Sequence, residues 1–117
     1  MAGVLIVDGA NVVGSVPDGW WRDRRGAAER LRDLLAARDG DEEEVILVVE
    51  GAARGIRSVP GVRVDPAPGS GDDRIVELAA AHAGRGCVVV TADRELRERV
   101  RAYGARCVGP RAVRPDL

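Results

Sequence analysis

Val4-Leu5-Ile6-Val7-Asp8 is the stretch that decides the fold, because four consecutive apolar residues run directly into a carboxylate. An apolar run of this length is typical of a strand buried on both faces of a parallel sheet. The pattern recurs where residues 45–49 run into Glu50 and where residues 87–91 are followed by Asp93. Parallel strands end along one edge of a sheet, where ligands of open α/β sheets bind. These acids are therefore predicted to meet at one ligand-binding edge.

Segments with helical periodicity alternate with the strand-like runs. This alternation predicts an α/β domain with a five-stranded parallel sheet, covered by helices on both faces, in the strand order 3-2-1-4-5. That order makes the first and fourth strands neighbours, so Asp8 and Asp93 are expected to face each other. The helices and the two shorter strands are predicted at residues 23–38, 72–82, 93–103, 62–64 and 105–108.

Length and composition are typical of one globular domain. The chain has 117 residues, 45% of them hydrophobic, and no apolar run approaches the ~20 residues that a transmembrane helix needs. We predict a single domain over residues 1–109 and a short C-terminal tail over residues 110–117. The N-terminus lacks the basic segment of a signal peptide, so we expect a cytoplasmic protein with no membrane partner.

Two carboxylates at the predicted edge have both a functional and a structural interpretation. Asp8 opens the predicted turn Asp8-Gly9-Ala10-Asn11, where it either binds a ligand or accepts hydrogen bonds from nearby amides. Asp93 follows Thr91-Ala92 and either serves the site or caps the next helix. A carboxylate directly after a buried apolar run is poorly explained by solubility. We therefore favour Asp8 and Asp93 as the central functional pair.

Three further acids could join this pair. Asp72 and Asp73 open a helix, and one Asp is enough to stabilise its first turn. Adjacent helical residues point about 100° apart, so one of the two is expected to face the site while the other caps the helix or orients a water. Glu50 either belongs to the site or hydrogen-bonds Arg54, four residues further on.

Clustered carboxylates indicate a metal-dependent enzyme. Neighbouring carboxylates repel one another unless a cation lies between them, and oxygen donors suit Mg²⁺ or Mn²⁺. Such ions support phosphodiester hydrolysis by lowering the pKa of a bound water and neutralising phosphoryl charge. Serine chemistry is disfavoured, because His82 is the single His and falls on the apolar stripe of a predicted helix.

Three blocks of the chain resemble a known family. Residues 7–14 (VDGANVVG), 70–77 (SGDDRIVE) and 89–93 (VVTAD), in this order, resemble the NYN ribonuclease family of the PIN-like superfamily. The resemblance is nearest to its bacterial YacP-like branch, and the paired Asp resembles that of Regnase-type endoribonucleases. It covers roughly residues 3–108. It implies a three-layer α/β/α PIN-like fold and Mg²⁺- or Mn²⁺-dependent cleavage of RNA.

The resemblance also implies site residues. Two departures accompany it: Ala10 stands where the family usually has an aromatic residue, and Glu50 where it commonly has Asp. The positions that match the family's metal site, and that we predict to be catalytic, are Asp8, Asp72, Asp73 and Asp93. The residues predicted to hold the ion are Asp8, Asp73, Asp93 and Glu50.

Single-stranded RNA is the expected partner. Proteins grip it by base stacking and cationic contacts. Every cationic side chain here is Arg and the net charge is −1, so local arginines rather than a protein-wide basic field would contact phosphates. Trp20 and Trp21 either stack a base or pack onto the following helix. The residues predicted to contact substrate are Asn11, Thr91, Ser70, Arg54, Arg74 and Trp20.

Two other functions remain open from the sequence. One is a metal-dependent nucleotide phosphohydrolase, and the other is a non-catalytic RNA-binding or ribosome-associated module that retains the fold. Four intact acids argue against the second, because carboxylates near phosphates would repel a bound RNA. The sequence does not decide between a monomer and a homodimer, nor between one metal ion and two.

Overall fold

The computed structural model describes residues 3–115, so the ends of the predicted domain and tail, at residues 1–2 and 116–117, lie outside the described residues. The strands are β1 Val4–Asp8, β2 Glu44–Val49, β3 Arg63–Pro66, β4 Cys87–Val90 and β5 Arg106–Val108. The α-helices are α1 Gly9–Gly14, α2 Arg24–Ala37, α3 Gly71–Ala81 and α4 Arg94–Arg101. Short 3₁₀ helices occupy Trp20–Arg22, Gly51–Gly55 and Pro110–Ala112.

The five strands form one parallel sheet in the order β3-β2-β1-β4-β5. The predicted fold class and strand order are therefore confirmed. β1 is the central strand, and its register pairs Asp8 with Val48 of β2 and Val7 with Val90 of β4. Strands β1 and β4 are the neighbours at which the chain order reverses, which is the usual position of a ligand site in such sheets.

Side chains of β1 alternate between two cores on opposite faces of the sheet. Leu5 and Val7 pack into the core that includes residues of α1 and α2. Val4 and Ile6 pack into the core that includes residues of α3 and α4. The period of two along a strand directs Asp8 to the same side as Ile6. Asp8 therefore faces the helices that carry the other predicted acids.

Each of the three longer helices begins at a side-chain cap. The Asp23 carboxylate accepts from the Gly26 N–H at the start of α2, and the Ser70 hydroxyl accepts from the Asp73 N–H at the start of α3. Asp93 accepts from the Leu96 N–H at the start of α4. Such caps contribute about 1 kcal/mol each. Since Ser70 caps α3, that helix does not depend on the carboxylates of its first turn.

Two local predictions differ from the structure. Residues 9–11 were predicted to form a turn, but they are the first turn of α1, since the Asp8 carboxylate caps the Asn11 N–H. The last helical stripe, predicted to reach Tyr103, ends at Arg101, and Tyr103 is 45% exposed. The chain reverses there through Gly104, whose φ of +82° is a conformation that glycine adopts without strain.

After β5, the described end of the chain packs against the domain. Val113 is buried in the core shared with α2. None of the helices within residues 3–115 is long and apolar enough to span a bilayer.

Candidate active site

Asp8 is a buried carboxylate at the end of the central strand. It is 5% exposed, and its Oδ2 accepts a hydrogen bond of 2.9 Å from the Thr91 hydroxyl. Its Oδ1 accepts from the Asn11 N–H at 3.4 Å. The pKa of Asp8 is raised to about 6, mainly by burial and also by the charges of Asp72 and Glu50, while the hydrogen bonds from Thr91 and Asn11 oppose the rise.

Thr91 joins the end of β1 to the start of α4. Its buried hydroxyl donates to Asp8 and accepts from the Asp93 N–H at 3.1 Å. Its carbonyl accepts from Arg97 Nε at 2.9 Å. The only hydrogen of the hydroxyl is already used. This geometry favours a positioning role for Thr91 over the substrate contact predicted from the sequence.

Asn11 adds a second link between these elements. Its side-chain Oδ1 accepts from the Ala92 N–H at 2.9 Å, which ties α1 to the loop between β4 and α4. The amide group of a half-buried Asn in this position retains two N–H donors. Asn11 is therefore anchored through its oxygen and keeps donors for a phosphate.

Asp72 faces the acid cluster and Asp73 does not. Burial raises the pKa of Asp72, and the charges of Asp93 and Glu50 raise it further, so these carboxylates act on one another. Asp73 is exposed and forms an ion pair with Arg99 at 2.8 Å. Adjacent helical residues diverge by about 100°, as expected. The geometry favours Asp72 over Asp73 as the member of the pair that would hold an ion.

Glu50 contacts the beginning of α3. Its Oε2 accepts from the Gly71 N–H at 3.2 Å. A Cβ at position 71 would lie 3.0 Å from Glu50 Oε1, a tight contact that would push the carboxylate away from α3. The alternative partner, Arg54, instead donates to the carbonyls of Gly51 at 3.4 Å and Pro68 at 3.5 Å. Arg54 is exposed beside the site.

Arg74 is bound to a second buried carboxylate. Its Nε and Nη2 donate to the two oxygens of Asp65 at 2.8 and 2.9 Å, in a bidentate arrangement. Arg63 also donates to Asp65, at 2.9 Å. The hydrogen bond from Arg74 lowers the pKa of Asp65. Arg74 thus links α3 to β3, and the substrate contact predicted for it would require this pair to open.

Trp20 packs on the core and also borders a pocket. It is half-buried against the core on the α2 face, with the Arg24 guanidinium 5.1 Å from its ring centroid. Trp21 meets it edge to face at 5.9 Å and is 52% exposed. Trp20 therefore packs on the core and also lines the pocket, whereas Trp21 faces outward.

The acid cluster has a donor set that suits a hydrated divalent ion. As the side chains lie, no three acidic, histidine or cysteine residues within residues 3–115 are close enough to enclose a metal. Mg²⁺ commonly keeps several waters and binds one or two carboxylates directly. The raised pKa values of Asp8 and Asp72 reflect, beyond burial, like charges that a cation would relieve. The residues are therefore compatible with such an ion, which Asp8, Asp72, Asp93 and Glu50 would hold directly or through its waters.

Two site residues were not predicted from the sequence. Arg97 Nε donates to the Thr91 carbonyl. Arg99 forms an ion pair with Asp73, and its positive charge partly offsets the rise in the pKa of Asp72. Both lie on α4, one and two turns after its cap. In a chain whose cations are all Arg, composition gives no signal that singles out these two.

Comparisons with known proteins support the fold. No protein-family model matches the chain, and no curated protein sequence matches it. Among solved structures, the chain is similar to the crystal structure of a mutant of Rae1 (YacP) from Bacillus subtilis, with a TM-score of 0.68 and 20% identity. The match covers 97% of this chain and 72% of that chain. The resemblance to the YacP-like branch is therefore confirmed at the level of the fold.

Proposed function

We propose that the protein is a metal-dependent endoribonuclease that hydrolyses phosphodiester bonds of single-stranded RNA. The observation that supports the proposal most is the buried Asp8, held by Thr91 between β1 and β4, with Asp72 and Glu50 close enough to raise its pKa. Strongly perturbed carboxylates in a cleft are typical of functional sites. The fold shared with Rae1 (YacP) and the motif blocks around these acids support the same assignment.

Asp8, Asp72 and Asp93 are the proposed centre of a Mg²⁺ or Mn²⁺ site, with Glu50 beside them. Each Asp8 oxygen accepts one hydrogen bond, and a carboxylate has about four acceptor positions, so capacity remains for an ion. When bound, such an ion supplies an activated water and neutralises charge on the phosphoryl group. Thr91 holds the Asp8 carboxylate in one orientation, so the ligand is positioned before the ion arrives.

The substrate-facing groups lie around this centre. The free amide donors of Asn11, the exposed Ser70 hydroxyl and the exposed Arg54 are the proposed contacts to phosphate oxygens. Arg99, which reaches Asp73 from α4, is a further candidate. Charged donors to phosphate oxygens form the stronger class of hydrogen bond, so the arginines would contribute most of the binding.

A nucleotide phosphohydrolase is the second candidate. The observation that favours it is a pocket of about 290 Å³ beside Glu50, since a pocket of this size could hold the base of a mononucleotide. The same carboxylates would serve both reactions. Polymer and mononucleotide substrates must therefore be compared directly.

The test is cleavage of a labelled single-stranded RNA with Mn²⁺, with EDTA, and by the Asp8→Asn variant. Asp41→Asn is the matched control, because Asp41 is exposed and precedes β2 at the opposite edge of the sheet. We expect Mn²⁺-dependent cleavage that Asp8→Asn loses and Asp41→Asn keeps. Phosphate release from mononucleotides without RNA cleavage would select the second candidate. Undiminished cleavage by Asp8→Asn would refute the assigned site.

A further inference from the structure

A pocket lies on the α2 side of the carboxyl edge, next to the acid cluster. It is an open pocket bordered by α1, the 3₁₀ helix Trp20–Arg22, the first turns of α2 and the 3₁₀ helix Gly51–Gly55. Its volume is about 290 Å³, and small residues such as Ala10 and Ala52 leave this space open. One wall is Trp20, and Arg24 and Glu50 add charged groups to the lining.

We propose that this pocket receives one unpaired nucleobase of the RNA, adjacent to the phosphate that lies at Asp8. The inference rests on the proposed ribonuclease function, and it specifies where the substrate strand is held. A mostly apolar cavity with an indole wall and few polar groups is the environment in which proteins stack unpaired bases. Because stacking on an aromatic ring does not read the base edge, the pocket would accept different bases.

The position of the pocket sets the register between base and scissile phosphate. Gly9 borders the pocket and follows Asp8 directly in the chain. Glu50 borders the pocket, and its Oε2 accepts from the Gly71 N–H at 3.2 Å at the start of α3, the helix that carries Asp72, so it belongs to both regions. A strand that crosses the sheet edge would therefore place a phosphate at the acids and an adjoining base against Trp20.

The charges at the pocket fit a nucleotide rather than a purely apolar ligand. Arg24 is exposed and its guanidinium lies over the Trp20 ring, 5.1 Å from the ring centroid, so a base that stacks on this ring face would displace the guanidinium toward a flanking phosphate. Arg25, the next residue, donates to the Gly55 carbonyl at 3.3 Å and helps to hold the opposite wall. Sites that bind single-stranded nucleic acid combine an aromatic surface, on which a base stacks, with a cation that contacts the backbone.

The first test uses Trp20 as the reporter. Trp21→Phe leaves Trp20 as the single tryptophan, and Asp8→Asn with EDTA prevents cleavage during the titration. We expect a short single-stranded oligoribonucleotide to quench the fluorescence of Trp20. An oligomer with the same sugar-phosphate backbone but no bases should not quench it. Equal quenching by both oligomers, or by neither, would overturn the proposal.

The second test fills the pocket without altering Trp20. Ala52→Phe places a ring in the lining from an exposed position, and Ala36→Phe is its control on the exposed face of α2, away from the pocket. We expect Ala52→Phe to weaken oligonucleotide binding about tenfold, as for the loss of one base stack, and Ala36→Phe to leave it unchanged. Equal affinities of the two variants, each with an unchanged melting temperature, would contradict the proposal.

The outcomes separate this proposal from the proposed function. If base-dependent quenching occurs but no RNA is cleaved with Mn²⁺, the pocket stands and the nuclease assignment fails. If RNA is cleaved and Ala52→Phe cleaves it as fast as Ala36→Phe, the nuclease stands and the pocket fails. If a mononucleotide quenches Trp20 as strongly as the oligomer at equal concentration, the assignment of the pocket to an RNA strand is overturned.

Discussion

Two buried aspartates of the same sheet have opposite electrostatic environments. Asp8 at the end of β1 is 5% exposed and Asp65 in β3 is 6% exposed. Asp65 is bound by Arg74 and Arg63, and its pKa is lowered. Among residues 3–115, Asp8 accepts hydrogen bonds from the Thr91 hydroxyl and the Asn11 N–H, neither of which is cationic, and its pKa is raised to about 6 by burial and neighbouring acids.

The difference teaches how to separate a structural acid from a functional one. A buried carboxylate with a bidentate Arg is stabilised by its own protein and needs nothing else. A buried carboxylate among other carboxylates is destabilised until a cation arrives, and such residues cluster at functional sites. The exposed fraction alone does not distinguish Asp8 from Asp65, because the two values, 5% and 6%, are nearly the same.

The largest expected effect contrasts the two residues in catalysis. Asp8→Asn should lower the rate of RNA cleavage by more than about a hundredfold, since it removes a proposed metal ligand. Asp65→Asn should cleave at the rate of the unaltered protein at a temperature where both are folded. Single-turnover cleavage with Mn²⁺ measures both rates. Similar losses in the two variants would remove the functional distinction.

The next largest effect is on stability, where the substitution of Asp65 should be the damaging one and not that of Asp8. Asp65→Asn should lower the free energy of unfolding by roughly 2 kcal/mol near neutral pH, because it breaks a buried pair. The folded-state pKa of Asp65 is lowered, so its contribution is present above the unfolded pKa and is lost as pH falls through the folded value. Urea unfolding of both proteins should therefore differ near neutral pH and converge as the pH falls below 3.8, the usual pKa of an Asp carboxyl, and through the lower folded-state value.

A smaller effect separates the two adjacent acids of α3. Asp72→Asn should slow cleavage about tenfold, because Asp72 faces the cluster, whereas Asp73→Asn should slow it less than about threefold. Asp73→Asn also frees Arg99 from its pair. Parallel cleavage assays of the two variants check the order. A greater loss in Asp73→Asn would restore Asp73 to the set of ligands.

The smallest effect concerns the pH dependence of the metal-free protein. The folded-state pKa of Asp8 is raised to about 6, so its contribution to stability is fully present below the unfolded pKa and is lost as the pH rises through the folded-state pKa of about 6. Asp8→Asn should remove this loss and be more stable by about 1 kcal/mol at neutral pH in EDTA, less in acid. Thermal unfolding across this pH range checks the sign. A variant that is less stable at every pH would show that Asp8 is not electrostatically strained.

The sequence alone was sufficient to predict the fold class, the strand order and the position of Asp8 and Asp93 at the carboxyl edge of the sheet. Three apolar runs that end near a carboxylate, with helical segments between them, predicted the parallel sheet, its strand order and an edge where the acids could meet. These features are local: apolar runs define strands, periodicity defines helices, and the short connections restrict the winding. The positions of Asp8 and Asp93 at that edge followed directly.

The tertiary structure decided which partners those side chains have and which of them face the acid cluster or the pocket. The local pattern cannot tell Asp72 from Asp73, because the choice depends on Arg99, which reaches Asp73 from another helix. It predicted a substrate contact for Arg74, whose partner Asp65 lies on the edge strand. It left Trp20 and Trp21 equivalent, although Trp20 borders the pocket beside Glu50 and Trp21 is 52% exposed. Hydrogen bonds and charges between distant segments set these roles, and the order of residues along the chain does not encode such contacts locally.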